Sequence, residues 1–224
     1  TVVHAVRCRP HRALQPGTPT GEATTGAGQI GDVYHLSTRR LSPFPSRISD
    51  VGVVMDLATH DIDLAMWLLG ERYSSVSATT RFKADREFED LLVANATMTD
   101  GTAVSQLVNW LSPVKERVTV ITGERGMLLA NTVTSELTFY ANGSGEFDWE
   151  TNTAFGGVLE GDVTRYSFEK TEPLRTEHER FRDAVLGDSN RISAADEALE
   201  VVRVAAAMLE SAQTGETVRI LAAE

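Results

Sequence analysis

The strongest constraint on the fold is a series of β-type segments that lies between one helix and two later ones. These segments are rich in Val, Thr and aromatic residues, and tight-turn signals such as Asp100-Gly101 separate them. Helices that flank a series of antiparallel strands cover one face of an open sheet. The sequence therefore predicts an α+β fold with an open, mostly antiparallel β-sheet and helices on one face. The predicted strands cover residues 32–38, 73–82, 91–98, 103–111, 118–122, 137–140 and 218–221.

Helical spacing of apolar residues predicts three helices. The first runs from Asp56 to Leu69 and ends at Gly70. The second places four side chains on one face, namely Leu174, His178, Phe181 and Val185. The third covers about residues 194–211, with Ser193 as N-cap and an inward stripe made of Ala195, Leu199, Val202, Ala206 and Leu209. Residues 41–49 and 141–161 are predicted loops, and residues 123–126 a turn.

Charge and composition exclude several classes of partner. The formal net charge is −11, whereas nucleic acids and anionic membranes bind clustered Lys and Arg, so we expect neither as a partner. No apolar run reaches the roughly 18 residues of a membrane span, and no apolar signal-peptide core is visible at the N-terminus. Cys8 is the only cysteine, which excludes a disulfide framework and a thiolate metal site. We expect a cytoplasmic protein without a metal.

The segment from Gly52 to Asp63 carries the candidate chemistry. On a helix, Asp56, His60 and Asp63 share one face in an apolar setting, where each polar group needs a partner or a ligand. A histidine beside a carboxylate suits proton transfer, because imidazole titrates near neutrality. The spacing alone fits equally well with Asp56 as a helix cap and His60 as a core histidine. No third ligand supports a metal site.

This segment resembles the Gfo/Idh/MocA oxidoreductases, whose C-terminal domain carries a G-x-x-x-D-x-x-x-H-x-x-D helix. Gly52, Asp56, His60 and Asp63 match that pattern. The resemblance extends over nearly all of residues 28–224, through Gly28-Gln29-Ile30-Gly31-Asp32-Val33, Asn109-Trp110 with Pro113, Thr122-Gly123-Glu124-Arg125-Gly126 and Glu172-Pro173-Leu174. It implies a C-terminal substrate-binding and oligomerisation domain beside a Rossmann domain, with the site between the two.

The resemblance further implies an NAD- or NADP-dependent dehydrogenase that oxidises a hydroxyl of a sugar, nucleotide sugar or polyol. His60 would be the acid/base on that hydroxyl, Asp56 would bind substrate or orient the site, and Asp63 would contact substrate. The glycine fingerprint of the family's Rossmann domain, which follows a strand and opens a helix, and its Glu-Lys-Pro segment belong to the N-terminal half. We expect both outside this chain, so that the isolated chain has no cofactor-binding residue and is inactive.

Three further groups of residues are open to two interpretations. Arg39, Arg40 and Arg47 flank a Pro-Phe-Pro loop ahead of the helix. They are either solvated, or Arg40 and Arg47 bind a carboxylate or diphosphate through their planar guanidinium groups. Asn109 and Trp110 would touch sugar hydroxyls and a sugar face, or they only pack in the sheet. The block of residues 109–140 most resembles dehydrogenases of nucleotide-linked amino sugars.

A second function class is a non-catalytic assembly module. Family members commonly form oligomers through the open sheet face, so a homo-oligomer is the expected partner arrangement. The apolar alternation in residues 91–98 and 103–111 would supply that face.

Residues 1–27 differ from the rest, since they are rich in Arg, Pro, Gly and Thr without an apolar period. They predict an irregular arm. With permitted codons, residues 9–17 read one base later spell Gly-His-Thr-Glu-Arg-Phe-Asn-Pro-Ala, a segment typical of the family ahead of this domain. This match favours out-of-frame translation of the arm over a native but divergent arm. The genomic DNA, read in all frames, tests the idea.

Overall fold

The computed structural model describes residues 27–83, 86–143, 160–167, 173–187 and 195–220. Within them, nine strands form one sheet, and a π-helical turn over Val54–Ala58 leads directly into the first long helix. The strands are β1 (Val33–Pro43), β2 (Tyr73–Arg81), β3 (Leu91–Met98), β4 (Ala103–Asn109), β5 (Leu111–Gly123), β6 (Gly126–Asn131), β7 (Glu136–Asn142), β8 (Glu160–Tyr166) and β9 (Val218–Arg219). The helices are α1 (Ala27–Ile30), α2 (Thr59–Leu69), α3 (Pro173–Val185) and α4 (Ala195–Thr214).

The sheet is open and mixed, with the strand order β8-β7-β6-β5-β1-β4-β3-β2-β9. β1 lies in the middle and pairs with β4 in parallel and with β5 in antiparallel orientation. All other pairs in this order are antiparallel. The predicted open, mostly antiparallel sheet with helices on one face is therefore confirmed.

The core lies between one face of the sheet and the helices. Alternation along β1 turns Leu36 and Thr38 inward, where both are buried, while Arg39 is exposed on the other face. The inward rows of the neighbouring strands are largely apolar, and they pack against the buried side chains of α2 and α4, including Ile62, Ala65, Val204 and Met208. The other face of the sheet carries no helix of the described residues.

Two predicted turns are confirmed. Gly101 has a φ of 94° between β3 and β4, a conformation that favours glycine, and the two residues 124–125 join β5 to β6. Gly70 ends α2 in the left-handed conformation, with φ 71° and its N–H bonded to the carbonyl of Met66.

The predicted inward face of α4 is wrong. Val201, Val204 and Met208 pack inward, whereas Leu199 and Val202 are exposed. The helix is apolar on two sides, so its periodicity cannot decide which side meets the sheet. Along α3, Leu174, His178, Phe181 and Val185 are all exposed.

Several strands differ in extent from the prediction. β1 continues through the predicted loop start to Pro43, and β6 and β8 were not predicted. Within the part of the chain that the structure describes, no helix is long and apolar enough to cross a membrane. The arm up to residue 26, the proposed cap Ser193 and most of the predicted 141–161 loop lie outside the described residues.

Candidate functional site

A buried carboxylate anchors the start of the helix that carries the candidate site. Glu89, just before β3, is 6% exposed. Its backbone carbonyl accepts a 2.9 Å hydrogen bond from the N–H of Val53, and its Oε1 accepts one of 2.9 Å from the N–H of Val54. A carboxylate here satisfies free N–H groups and interacts favourably with the helix dipole. A Cβ on Gly52 would lie 1.9 Å from Glu89 Oε1, so this position requires glycine for space.

The polar residues of the motif lie on the solvent side of the π-helical turn and of α2. His60 and Asp63 are exposed, three residues apart, while Asp61 and Ile62 point into the core. Asp56 lies within the π-helical turn and is half-buried. A π turn is wider than an α turn and is frequent at functional sites. It therefore alters the α-helical spacing that the sequence predicted between Asp56 and His60.

A carboxylate from α4 adds to this surface. The pKa of Asp63 is raised, first by partial burial and then by the negative charge of Glu197, while His60 acts in the opposite direction. Although Asp63 reaches solvent, its carboxylate thus lies within the electrostatic influence of both groups. Glu197 was missed by the sequence reasoning, because an acidic residue in the first turn of a helix is commonly explained by the helix dipole alone.

A buried ion pair lies beneath His60. Arg40 on β1 donates from Nε to Asp61 Oδ2 at 2.9 Å and from Nη2 to Asp61 Oδ1 at 2.7 Å. The two side chains are 14% and 4% exposed. Arg40 therefore lies in a central strand under α2 rather than in the flanking loop that the sequence suggested.

The charge of Asp61 also influences two further side chains. Arg117 on β5 is the cross-strand neighbour of Arg40. Burial and the charge of Arg40 lower the pKa of Arg117, while Asp61 raises it. The pKa of the buried Tyr73 hydroxyl is raised by burial and secondarily by Asp61. Asp61 is thus a buried negative charge that acts on the buried Tyr73 and on the more exposed Arg117.

Asn109 and Trp110 lie at the end of β4, and both are buried. Asn109 Oδ1 accepts hydrogen bonds from Leu111 N at 3.0 Å and Ser112 Oγ at 2.9 Å. Trp110 is 2% exposed, and its ring meets that of Phe44 edge to face with centroids 5.6 Å apart. These contacts correspond to the second interpretation of the sequence, in which Asn109 and Trp110 pack in the sheet.

Arg86 joins this aromatic pair to the loop that anchors the site helix. Its guanidinium carbon lies 4.3 Å from the ring centroid of Phe44 and 5.4 Å from that of Trp110. Arg86 also forms a 2.7 Å ion pair with the fully buried Asp90, whose carbonyl accepts from Trp110 N–H. Because Asp90 follows Glu89, one short loop supports both the helix start and Trp110.

The remaining arginines of the motif region lie at the surface. Arg47 is exposed, and Arg39 on the open sheet face pairs with Glu116. Among the described residues, no group of three His, Cys, Asp or Glu side chains could hold a metal ion.

The comparisons with known proteins agree with this fold. Residues 23–129 match the family model of the GFO/IDH/MocA C-terminal domain. Over that stretch, which is just under half of the chain, the sequence is similar to this family of domains.

Two individual dehydrogenases are similar to this chain over part of their length. The chain is 34% identical over 76 residues to UDP-N-acetylglucosamine 3-dehydrogenase of Acidithiobacillus ferrooxidans, which is 34% of this chain and 24% of the relative. A solved structure of that enzyme, GnnA, superposes with a TM-score of 0.70 at 22% identity, over 84% of this chain and 57% of that one. The WlbA dehydrogenase from Bordetella pertussis, solved with NADH and UDP-GlcNAcA, gives 0.63 at 22% identity, over 88% and 57%. The chain thus spans little more than half of the solved relatives.

One glycine-rich segment has the spacing of a dinucleotide-binding loop. Residues 26–31 have the spacing G-x-G-x-x-G, contrary to the expectation that this chain lacks the pattern altogether. A dinucleotide-binding fingerprint follows a strand and opens a helix. Here Gly28 lies within the four-residue α1, and Gly31 leads into the strand β1 rather than into a helix, so the described part of the segment lacks that context.

Proposed function

We propose that this chain is the substrate-binding half of a dehydrogenase that oxidises a hydroxyl of a sugar, nucleotide sugar or polyol, with NAD or NADP bound by a separate domain. The observation that supports the proposal most directly is the exposed His60, which lies on an otherwise well-anchored helix beside Asp63 and near Glu197. We place this function in the cytoplasm.

The chain's own contribution to the reaction is proton transfer. Removal of hydride from a carbinol carbon requires loss of the hydroxyl proton, and a positioned base typically contributes about 10²- to 10⁴-fold. His60 takes that proton, and Asp56 and Asp63 bind or orient the substrate. Arg47 is exposed at the adjacent loop and suits an anionic group such as a diphosphate.

Asn109 and Trp110 contribute to the substrate site indirectly in this proposal. Both side chains are buried, and the Asn109 carbonyl oxygen is already bonded within its own turn. They hold the strand end and the Phe44 loop that border the site.

The exposed apolar sides of α3 and α4 support a separate cofactor domain. Leu174, Phe181 and Val185 on α3, and Leu199 and Val202 on α4, are large apolar side chains about half or more exposed. Contiguous exposed apolar helix faces mark interaction surfaces. The relatives also carry further polypeptide, since this chain covers 57% of the two solved ones described above.

Two binding experiments test the proposal on the chain itself. Calorimetric titration with NAD⁺ and NADH should give no micromolar binding, whereas UDP-N-acetylglucosamine, a hexose or inositol should shift the NMR amide signals around His60. Micromolar cofactor binding, or sugar-induced shifts confined to other regions, would contradict it. Activity after addition of a separate Rossmann domain would support it further.

A second candidate function is assembly without chemistry. The open sheet face presents a depression whose lining residues are half apolar, including Val93, Leu107, Val118, Val120 and Leu129. This face suits a second copy of the chain. Light scattering separates the two functions in part, since a clean monomer at high concentration would exclude assembly through this face.

A further inference from the structure

The ion pair between Arg40 and Asp61 has no role in the reaction as proposed above, yet it lies one residue from His60. We propose that Arg40 and Asp61 are positioning residues that fix the rotation of the first turn of α2, and that Arg40 does not bind substrate. This inference rests on the proposed function, because it concerns the direction in which His60 faces.

The geometry of the pair holds the Asp61 carboxylate in one orientation. Two parallel hydrogen bonds, from Nε at 2.9 Å and from Nη2 at 2.7 Å, hold both carboxylate oxygens of Asp61. Such a fork fixes orientation as well as distance. Successive residues on an α-helix are about 100° apart, so a fixed direction for Asp61 also fixes the direction of His60.

Two further anchors of this helical segment lie at its ends, away from His60. Glu89 anchors the helix start at Val54, and the Gly70 cap fixes the far end. The buried Ile62 and Ala65 pack against the core, but apolar burial is non-directional. The π-helical turn between the Glu89 anchor and α2 adds a local irregularity. Asp61 is therefore the polar anchor closest to His60 on the core side.

Arg40 is poorly suited to substrate binding. Its side chain is 14% exposed, and it faces a carboxylate that is 4% exposed. Moving Arg40 towards a ligand would leave Asp61 buried without this partner, which is costly. Arg117, the cross-strand neighbour of Arg40, is exposed, and the two hydrogen bonds to the Asp61 carboxylate both come from Arg40.

The test separates two effects. One is the loss of the charged partner of Asp61, and the other is the loss of the two hydrogen bonds that orient it. Arg40→Met leaves Asp61 without its fork, and the unfolding equilibrium constant should rise about 10²- to 10³-fold. The double variant Arg40→Met/Asp61→Leu replaces the pair by apolar side chains of similar size, and its constant should return to within about 10-fold of the wild type. Arg39→Met, which removes a surface arginine of the same strand, is the matched control and should change little.

The orientation of the first turn of α2 is measured in this double variant. Residual dipolar couplings of the α2 amides, measured on the isolated chain, should change in the first turn relative to those of the sheet. In the complete enzyme, kcat should fall about 10- to 10²-fold with KM nearly unchanged, because misplacement of a reacting group weakens chemistry more than binding. Unchanged couplings would overturn the inference, and so would a raised KM at normal kcat, which would mean that Arg40 binds substrate.

Two further variants complete the test. If the double variant does not fold, Arg40→Lys keeps the charge and removes the fork, and the same change in couplings is expected from it. His60→Gln in the complete enzyme tests the proposed function separately. A normal kcat in that variant refutes the role of His60 in catalysis, whereas a low kcat there, together with unchanged couplings in the double variant, refutes the positioning role alone.

Discussion

Replacement of Gly52 by alanine should loosen the start of the site helix through a single steric conflict. The added Cβ would lie 1.9 Å from Oε1 and 2.1 Å from Cδ of Glu89. The φ of Gly52 is not among the left-handed values of the described residues, so the backbone itself accepts alanine. The conflict can be relieved only if the Glu89 carboxylate leaves the N–H of Val54.

The magnitude follows from that displacement. A hydrogen bond to a charged group contributes about 1.5–3 kcal/mol, while an alanine in place of glycine at an unstrained position stabilises by about 0.4–1 kcal/mol through the unfolded state. Gly52→Ala should therefore lower the free energy of unfolding by about 1–2 kcal/mol. In a Glu89→Ala background the conflict disappears, and Gly52→Ala should be neutral or slightly stabilising.

Urea denaturation of the four variants of this cycle measures the coupling, provided that the m-value stays constant. We expect a coupling free energy of about 1.5–3 kcal/mol between the two positions. Glu89→Gln is the matched control, because it keeps the volume of the side chain and so keeps the steric conflict. If Gly52→Ala costs the same in the Glu89→Ala background as in the wild type, contact with Glu89 is not the reason for a glycine at this position.

The other predictions concern the polar face of α2. Under the proposed function, His60→Ala in the chain reconstituted with a Rossmann domain should lower kcat by at least about 10²-fold with cofactor affinity nearly unchanged. Asp56→Asn should be milder and act partly on KM. Steady-state kinetics and cofactor titration measure both. The raised pKa of Asp63 means that the folded state binds this proton more tightly than the unfolded state does. Stability should therefore fall as the pH rises from the ordinary aspartate range through that raised value, and Asp63→Asn should flatten this part of the profile. A carbon-detected NMR titration should place the Asp63 midpoint lower in Glu197→Gln than in the wild type; an unchanged midpoint would mean that Glu197 does not act on it.

The sequence predicted those features that depend on local chemistry. Gly70 ends the helix where a C′ glycine was expected, and Asp100-Gly101 forms the expected turn, because both depend on the conformational freedom of one residue. The motif residues His60 and Asp63 were expected on one side of a helix, and they lie there.

The features that depend on tertiary contact could not be predicted in this way. Arg40 was expected beside a loop, because nothing local shows that β1 pairs on both sides up to Leu41. The ion pair with Asp61 and the influence of Glu197 on Asp63 join residues far apart in sequence. The π-helical turn differs from an α turn in its hydrogen bonding and its width, which composition does not reveal.

The central position of β1 has a consequence for how the chain folds. On one side β4, β3 and β2 follow one another as antiparallel neighbours, and on the other side β5 to β8 do the same. Each of these groups can assemble from contacts between neighbouring strands in the chain. The β1 pairs Val33–Gly123 and His35–Ala103, in contrast, join residues that are far apart in sequence. Loop closure over such separations is slow relative to hairpin formation. We expect the groups β2–β4 and β5–β8 to form first and to pair with β1 last. The pairing of β1, the first of the nine strands in the chain, then sets the folding rate.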